Sequence, residues 1–259
     1  MQLHHWHTII ARRSLQTVNS PTNARPSWDR TDLPRGDEKV KAVREMFDAI
    51  APRYDIVNRL MTFRLDVRWR RITVKSLQLP SGSRIIDLAS GTGDLCTELT
   101  KQDYKPISMD ISFGMLSQDH SGAPRSQADI LRLPMPNACV DGVTCGFALR
   151  NLENLEQFFA ELARVTRQQG RIALLDVGRP SNRLIRWGNS IYFGKIVPII
   201  GGLLSNRAAY KYLPRSVAYL PPSDELVAML KRAGFSDAVH FQLSGGLTQL
   251  LLATRNMST

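Results

Sequence analysis

The stretch IIDLASGTGDL, residues 85–95, decides the fold. It begins as a short apolar strand and runs into a turn that contains Gly91 and Gly93, as strands do where they pass into a helix beside a nucleotide-like ligand. A tight strand-to-helix turn with a capping Asp is the plainer interpretation, because short glycine motifs match many unrelated turns. The residues on either side of the turn bear on the choice.

Carboxylates beside the turn favour S-adenosylmethionine (SAM) over a dinucleotide. A pyrophosphate needs a third glycine and no nearby negative charge, but Cys96 occupies the third position and Asp87 and Asp94 flank the turn. SAM instead brings an ammonium group that a carboxylate can bind, and the glycines let the backbone approach it closely. We therefore predict that Asp87, Gly91 and Gly93 belong to a SAM site.

Strands and helices alternate beyond this turn. The strands are predicted at 84–89, 105–110, 126–129, 140–146 and 171–177, and the helices between them at 93–101, 113–119 and 154–168. Such alternation indicates a parallel sheet with helices on both faces. Helices at 38–50 and 66–78 precede the sheet, and a helix at 223–233 and an antiparallel hairpin follow it.

Length, charge and cysteine content narrow the class of protein. The chain has 259 residues, which suits one domain with a subdomain. Its net charge of +11 and pI near 10.0 suit nucleic acid, an anionic membrane surface or an acidic partner. Cys96, Cys139 and Cys145 have neither metal-ligand spacing nor an even number, so no metal site is predicted and a reducing compartment is indicated.

The N-terminal 36 residues are predicted to be a flexible basic tail before a single domain at 37–259. The first 28 residues contain no Asp or Glu and have an apolar patch around Trp6. This composition is typical of a mitochondrial targeting peptide. A disordered bacterial leader has the same composition, so both interpretations stay open.

Residues 178–222 form a predicted insertion with seven basic residues and no acidic residue. Its apolar side chains, such as Trp187 and Phe193, favour peripheral contact with an anionic membrane surface. An ordinary helical lid with a solvated charged face is the alternative. Nucleic-acid binding is not favoured, because the cations cluster with apolar residues and no base-stacking platform is recognisable.

Three acidic residues, Asp87, Asp110 and Asp129, end successive predicted strands. Ligands of open parallel sheets bind at this edge. Asp110 is expected to accept hydrogen bonds from both ribose hydroxyls, although NAD enzymes share that feature. Asp129 is expected to accept from the adenine amino group, with Ile130 packed on the ring.

The fourth strand ends in VTCGFALRNL, which brings Arg150 and Asn151 to the same edge, beside the predicted position of the SAM methyl group. A helix cap for Asn151 and a surface position for Arg150 are the ordinary alternatives.

From about residue 40 to 255 the sequence resembles the ubiquinone and menaquinone biosynthesis C-methyltransferase family. The segments that carry the resemblance are VREMFDAIAPRYDIVNRLMTFRLDVRWRR (43–71), DLASGTGDL (87–95), MDISFGML (109–116), LPMPNACVDGVTCGFALRN (133–151) and YKYLPRSVAYLPP (210–222). Two departures are visible. Gly146 stands where related sequences often carry Ser, and GLTQLLLATR lacks the His and Gly usual near the last strand.

The resemblance implies an α/β fold of the class I SAM-dependent methyltransferase type. This is a doubly wound, mostly parallel seven-stranded sheet with an antiparallel last hairpin and, here, a helical insertion. It also implies SAM-dependent methylation of a ring carbon of a polyprenylated hydroquinone, converting demethylmenaquinol to menaquinol or its ubiquinone-pathway counterpart. Another lipophilic or phenolic acceptor is the alternative.

By motif position, the resemblance implies cofactor contacts from Thr92, Asp110, Asp129 and Ile130 and a site-lining role for Tyr54. Arg150 is expected to stabilise the phenolate or to orient a water, because its guanidinium stays protonated, and Asn151 to fix the hydroxyl. The enzyme is expected at the cytoplasmic inner face of the membrane, or on the matrix side of a mitochondrial one. The sequence leaves a homodimer open.

Overall fold

The computed structural model describes residues 36–180, 182–192, 212 and 215–257. One seven-stranded sheet runs through the molecule. Its strands are β1 (Arg84–Leu88), β2 (Lys105–Asp110), β3 (Arg125–Gln127), β4 (Val140–Gly146), β5 (Thr166–Val177), β6 (Val239–Leu243) and β7 (Thr248–Thr254). The described helices are α1 (Gly36–Ile50), α2 (Tyr54–Met61), α3 (Leu65–Lys75), α4 (Asp94–Thr100), α5 (Phe113–Ser117), α6 (Leu155–Val165), α7 (Arg183–Ile191) and α8 (Ser223–Arg232).

The strand order is β3-β2-β1-β4-β5-β7-β6. The first five strands pair in parallel, and β7 lies antiparallel between β5 and β6. The prediction of a mostly parallel α/β sheet with an antiparallel last hairpin is confirmed. Strand β1 pairs with β2 on one side and β4 on the other, so the strand order reverses beside β1, where sheets of this kind bind ligands.

Helices cover both faces of the sheet, and β1 shows how the sequence achieves this. Neighbouring residues of a strand point to opposite faces, and Ile85 and Ile86 are both fully buried. Ile86 belongs to a core that includes Phe158 of α6, whereas Ile85 belongs to a core that includes Leu99 of α4. A strand buried on both faces has a continuous apolar run, as this one does before Asp87.

A third apolar cluster forms above the carboxyl edge of the sheet from α1, α2 and α5. It includes Met46, Val57, Met115 and Tyr212. The prediction of one helix before residue 52 and a second at 66–78 was incomplete, because Pro52 makes only a 3₁₀ turn, Ala51–Arg53, and α2 follows it directly. The added helix α2 covers one side of the site.

The predicted insertion is described only in part, at residues 178–180, 182–192, 212 and 215–222. Phe193 and Lys195, which contribute to the membrane-contact prediction, lie outside the described residues. Within the described part of the chain, no helix is long and apolar enough to cross a bilayer.

Candidate active site

A cleft of about 1010 Å³, including its open mouth, lies at the carboxyl edge of β1, β2 and β4. The turn after β1 and the end of β2 form its polar wall, and Val40, Val43 and Phe47 of α1 form an apolar wall. The predicted site residues that line this cleft are Tyr54, Gly91, Thr92, Asp110, Asp129, Ile130 and Asn151. Asp87, Gly93 and Arg150 do not line it.

Asp110 connects the end of β2 to the glycine turn. Its Oδ2 accepts from the backbone N–H of Gly91 at 2.9 Å, and its Oδ1 accepts from that of Ser112 at 2.8 Å. Burial raises the pKa of this carboxyl to about 6. Each carboxylate oxygen has about two acceptor positions, so Asp110 retains acceptor capacity toward the cleft.

Asp129 and Ile130 lie at the end of the cleft beyond β3. Ile130 is buried, whereas Asp129 is exposed and its Oδ1 accepts from the Leu131 N–H at 2.9 Å. An apolar side chain beside a carboxylate suits a flat heteroaromatic ring with an amino group. The structure therefore brings these two residues together with Asp110, as the strand-end pattern predicted.

The glycine turn is open toward the cleft at one glycine and tightly packed at the other. Gly91 has φ +57°, and no atom lies within 4 Å of the point where a β-carbon would be, so a ligand can approach its backbone. Gly93 has φ +84° and begins α4, and a β-carbon there would collide with the Asp119 carboxylate. Gly93 therefore shapes the turn from behind.

Asp87 lies beneath the turn and is fully buried. Its Oδ1 accepts from Thr144 Oγ1 at 2.8 Å, and its Oδ2 lies 3.7 Å from Cys96 Sγ. Burial raises the pKa of Asp87 to about 7. Because Asp87 does not line the cleft, the contacts give it a supporting place behind the turn, and the direct ligand contact stays a prediction.

Arg150 is buried behind the turn that follows β4. Its guanidinium donates to Asp176 at the end of β5, to the Phe147 carbonyl at 2.6 Å and to Ser216 Oγ at 3.1 Å. These partners favour a role in holding the 147–151 turn in place. Contact with the acceptor stays a prediction for this residue.

Asn151 and Tyr54 do face the cleft. Asn151 Oδ1 lies 3.4 Å from the Tyr212 hydroxyl, which donates to it, so the Asn151 amide N–H groups are available to a ligand. The cap of α6 is Asn154, whose side chain accepts from the Gln157 N–H, so Asn151 does not serve that purpose. Surrounding apolar atoms raise the pKa of Tyr54, which stays protonated at neutral pH.

The sequence-based prediction missed an ionic network along one wall of the cleft. Arg70 and Asp94 line the cleft, and Asp66 lies fully buried behind them. Asp94 accepts from Arg59 at 2.6 Å and forms an ion pair with Arg70 at 3.2 Å, and Asp66 accepts from both arginines. Burial disfavours the Asp94 carboxylate, but the hydrogen bond from Arg59 and the charge of Arg70 more than offset this and lower its pKa.

The spacing of two members of this network in the sequence could have predicted their pairing. Asp66 and Arg70 are four residues apart beside the apolar Trp69, so they had to lie on one helix face close to the core. Arg70 also lies 5.5 Å from the centre of the Phe147 ring. Phe147 has φ +61°, an uncommon conformation for a bulky residue that recurs at functional sites.

One group near the cleft has the residue types of a metal site. Single ligand atoms of Asp55, Asp94 and His120 lie within 4.8 Å of one another. Asp94 is already paired with two arginines, and Asp55 accepts from Thr92 Oγ1 at 2.7 Å. These carboxylates serve to tie α2 and α4 to the glycine turn, and we assign no metal to them.

Solved structures of other proteins share this fold. A SAM-dependent methyltransferase from Thermotoga maritima aligns with a TM-score of 0.60 at 16% identity, over 82% of this chain and 99% of that one. Phosphoethanolamine N-methyltransferase 2 of Haemonchus contortus, solved in complex with SAM, aligns with a TM-score of 0.55 at 10% identity, over 73% of this chain and 52% of that one. At such identities the likeness is one of fold.

Proteins found by sequence similarity share far more residues with this chain than these solved structures do. The ubiquinone/menaquinone biosynthesis C-methyltransferase UbiE of Geobacter sulfurreducens is 36% identical over 85% of this chain and 91% of its own length. The demethylmenaquinone methyltransferase of Roseiflexus castenholzii is 37% identical over 80% of this chain and 91% of its own. The ubiE/COQ5 methyltransferase family matches residues 35–255, which include every residue that lines the cleft. The chain belongs to the ubiE/COQ5 methyltransferase family.

Proposed function

We propose that this protein transfers the methyl group of SAM to a ring carbon of a polyprenylated hydroquinone, either demethylmenaquinol or its ubiquinone-pathway counterpart. The observation that carries the proposal is that the cleft of this family member has one polar wall and one apolar wall. Its polar wall suits a nucleoside with an amino-acid side chain, and its apolar wall suits a ring with a hydrocarbon tail.

The polar wall fits SAM. Asp110 has acceptor positions left for the ribose hydroxyls, Gly91 presents open backbone, and Asp129 with Ile130 suits adenine. When bound, SAM supplies an electrophilic methyl group on a sulfonium. The Asp110 carboxylate also adds negative charge to this wall, which suits the positive charge that the cofactor carries.

The apolar wall fits a lipophilic ring. Val40, Val43 and Phe47 of α1 line this side, and the Asn151 amide and the Tyr54 hydroxyl add polar groups to it. We assign Asn151 to donating a hydrogen bond to an acceptor hydroxyl. Tyr54 acts as a donor and a water-excluding wall, because its raised pKa makes it a poor base at neutral pH.

The acceptor's ring carbon becomes nucleophilic as a hydroxyl proton leaves. Tyr54 stays protonated and guanidinium groups are poor bases, so we assign water as the group that takes the proton. Arg150 holds the 147–151 turn, which keeps Asn151 in place, and this positioning supports the alignment that methyl transfer requires. As the carbon–carbon bond forms, the bond from the methyl group to the sulfonium breaks and a neutral thioether leaves. The ring carbon then loses its own proton to water, which restores the aromatic ring, and the phenolate oxygen takes a proton back from water to give the methylated hydroquinone.

A polyprenylated acceptor resides in a bilayer, so the enzyme has to meet it at a membrane surface. Helix α7 supports this, because Leu184 and Trp187 are 79% and 69% exposed and Arg183 is exposed beside them. We propose peripheral binding at the cytoplasmic face of the membrane, or on the matrix side if the N-terminal tail directs the chain to mitochondria. A single domain over 37–259 belongs to the same proposal, and a homodimer stays a prediction.

The test is methyl transfer by the purified full-length chain to a short-tailed demethylmenaquinol, with mass analysis of the product. We expect SAM-dependent addition of one methyl group to a ring carbon, and a rate at least about tenfold lower with Asp110→Ala at a SAM concentration near the wild-type Kd. The ubiquinone-pathway hydroquinone and a simple catechol are offered in parallel. Methylation of the catechol alone, or at oxygen alone, would refute the proposal in favour of another phenolic acceptor.

A further inference from the structure

Helix α2 presents an apolar face to solvent. Ile56 and Leu60 are 64% and 51% exposed, and Phe63 in the turn after the helix is 75% exposed. Ile56 and Leu60 are four residues apart, so they lie on the same helix face. Large apolar side chains exposed as a group mark interaction surfaces.

Helix α7 also carries large exposed apolar residues, and its C-terminal end lies against the end of α2. The Tyr192 hydroxyl, just beyond α7, donates to the Met61 carbonyl at 2.8 Å, and its ring centre lies 5.9 Å from that of Phe63. The C-terminal ends of α2 and α7 therefore meet. We group the exposed apolar residues of α2, of the turn after it and of α7 under the name docking face: Ile56, Leu60, Phe63, Leu184 and Trp187.

Exposed arginines adjoin the residues of the docking face along the chain. Arg53, Arg64 and Arg183 are exposed. Between residues 51 and 75 the acidic residues are Asp55 and Asp66, and both accept hydrogen bonds from within the chain. Asp66 is also fully buried. The surface that this face complements is thus apolar and anionic.

We infer that the docking face lies against an anionic lipid bilayer, with its apolar side chains in the interface and its arginines among the headgroups. Peripheral helices bind bilayers by this combination. The inference rests on the proposed function, since docking through α2 would present the cleft to an acceptor in the bilayer. Tyr54 lines the cleft two residues before Ile56, and Asp55 between them is bonded to Thr92 of the glycine turn.

Co-sedimentation of the full-length chain with vesicles tests this surface. We expect binding to phosphatidylcholine vesicles that contain phosphatidylglycerol, and binding at least about tenfold weaker for Ile56→Glu/Leu60→Glu. Arg53→Gln/Arg64→Gln should lower binding to the anionic vesicles only. The matched control is Val239→Glu/Phe241→Glu, which changes two exposed apolar residues of the edge strand β6 and should leave binding within about twofold of wild type.

Three results would overturn the inference: wild-type binding that ignores lipid charge, unchanged binding of the Ile56/Leu60 variant, or loss of a dimer by that variant with vesicle binding intact. The last result would assign the face to a second copy of the chain. Thermal melting and methyl transfer to a short-tailed acceptor in solution should match wild type in every variant, and Phe63→Glu, outside the helix, replaces the double variant if that one melts early. If vesicle binding depends on Ile56 and Leu60 but no quinol is methylated, the proposed function is refuted and the docking face is retained. If quinol is methylated but vesicle binding does not depend on these two residues, the docking face is refuted and the proposed function is retained.

Discussion

At the scale of single residues, Asp87 and Asp110 share a strand edge but differ in what they can contact. Asp110 lines the cleft and accepts two backbone N–H groups, whereas Asp87 lies beneath the turn with Thr144 and Cys96 as neighbours. The strand-end pattern predicts both as ligand contacts, because a sequence indicates where a strand ends but not which of its last residues reaches past the turn.

Replacing Asp110 by Ala should weaken SAM binding by about 2–4 kcal/mol, the sum of two charge-assisted hydrogen bonds to the ribose. Titration calorimetry measures this directly. Asp129→Ala is the comparison, because Asp129 is exposed at the cleft end and water can replace its hydrogen bond, so it should lose less. Equal affinity of wild type and the Asp110 variant would remove Asp110 from the cofactor site.

Asp87→Asn tests the buried carboxylate through pH. Burial raises its pKa from 3.8 to about 7 in the folded state, so between about pH 4 and 7 the folded chain binds more protons than the unfolded chain, and stability falls as pH rises through this window. Asn keeps an acceptor for Thr144 and does not ionise. The free energy of unfolding of Asp87→Asn should therefore increase relative to that of wild type between pH 5 and pH 8, by roughly 2.5 kcal/mol.

Denaturant unfolding of both chains at the two pH values supplies the comparison, and titrating groups that do not interact with Asp87 cancel in the difference. A difference that stays constant with pH would mean that Asp87 is ionised in the folded chain throughout. SAM affinity at pH 8 is a second measurement. A large loss in Asp87→Asn would restore the direct contact predicted from the glycine turn.

Arg150 is expected to act together with Asp176. Arg150→Lys keeps a charge but loses the planar fork that reaches Asp176, Ser216 and the Phe147 carbonyl at once. We expect kcat to fall while the Kd for SAM stays near wild type. Asp176→Asn should have the same effect, and the double variant should lose little more than either single one. Additive losses would separate the two residues, and full activity in Arg150→Lys would leave Arg150 without a role in turnover.

At the scale of elements, the sequence predicts β2 and β4 to the residue, because turn residues bound both apolar runs. It fails at the junction of α6 and β5. Helix α6 ends at Val165 and β5 begins at Thr166, with no Gly or Pro to mark the change. The prediction therefore extended the helix to residue 168, close to Gly170. Helix α2 was missed for the opposite reason, since Pro52 suggests a break longer than one turn.

The candidate site likewise contains residues that the sequence predicts and contacts that it does not. Gly91, Asp110 and Asp129 were predictable because the strand ends determine their places. The pairing of Arg59 with Asp94 was not, because it joins α2 to α4 across 35 residues of chain and depends on how the helices pack. The space around Gly146 is limited in this chain: a β-carbon there would lie 2.9 Å from Leu95 Cδ1, so a Ser at this position would require Leu95 to shift.

Helix α1 provides an element-scale prediction, because a buried lysine fastens it over the cleft. Lys39 Nζ donates to the Leu152 carbonyl at 2.7 Å and lies 3.9 Å from the centre of the Tyr219 ring. Lys39→Ala should destabilise the chain by about 1–3 kcal/mol and speed hydrogen exchange in residues 36–50. It should also raise KM for the acceptor, because Val40 and Val43 line the cleft. Lys41→Ala, on the exposed face, is the control, and equal exchange in both variants would contradict the anchoring role.

At the scale of the whole molecule, charge and fold serve different purposes. The sheet and its helices build the cleft, and the net charge of +11 has no part in that construction. Charge of one sign acts on encounter with large anionic surfaces and is screened by salt. In a family whose relatives are named for quinone biosynthesis, the surface to consider is the one in which a prenylated acceptor resides.

The methyl-transfer rate should therefore depend on salt concentration differently for an acceptor in vesicles and for an acceptor in solution. With a long-tailed demethylmenaquinol in anionic vesicles, the initial rate should fall several-fold between about 0.05 and 0.5 M KCl, because the screening length shortens from more than 10 Å to about 4 Å. With a short-tailed acceptor in solution, the rate should change by less than about twofold, because the interactions inside the cleft are shielded from bulk ions. Neutral vesicles are the control and should behave like the solution assay. If both acceptors respond to salt equally, the positive charge serves catalysis or folding, and electrostatic attraction to the membrane has no part in the reaction.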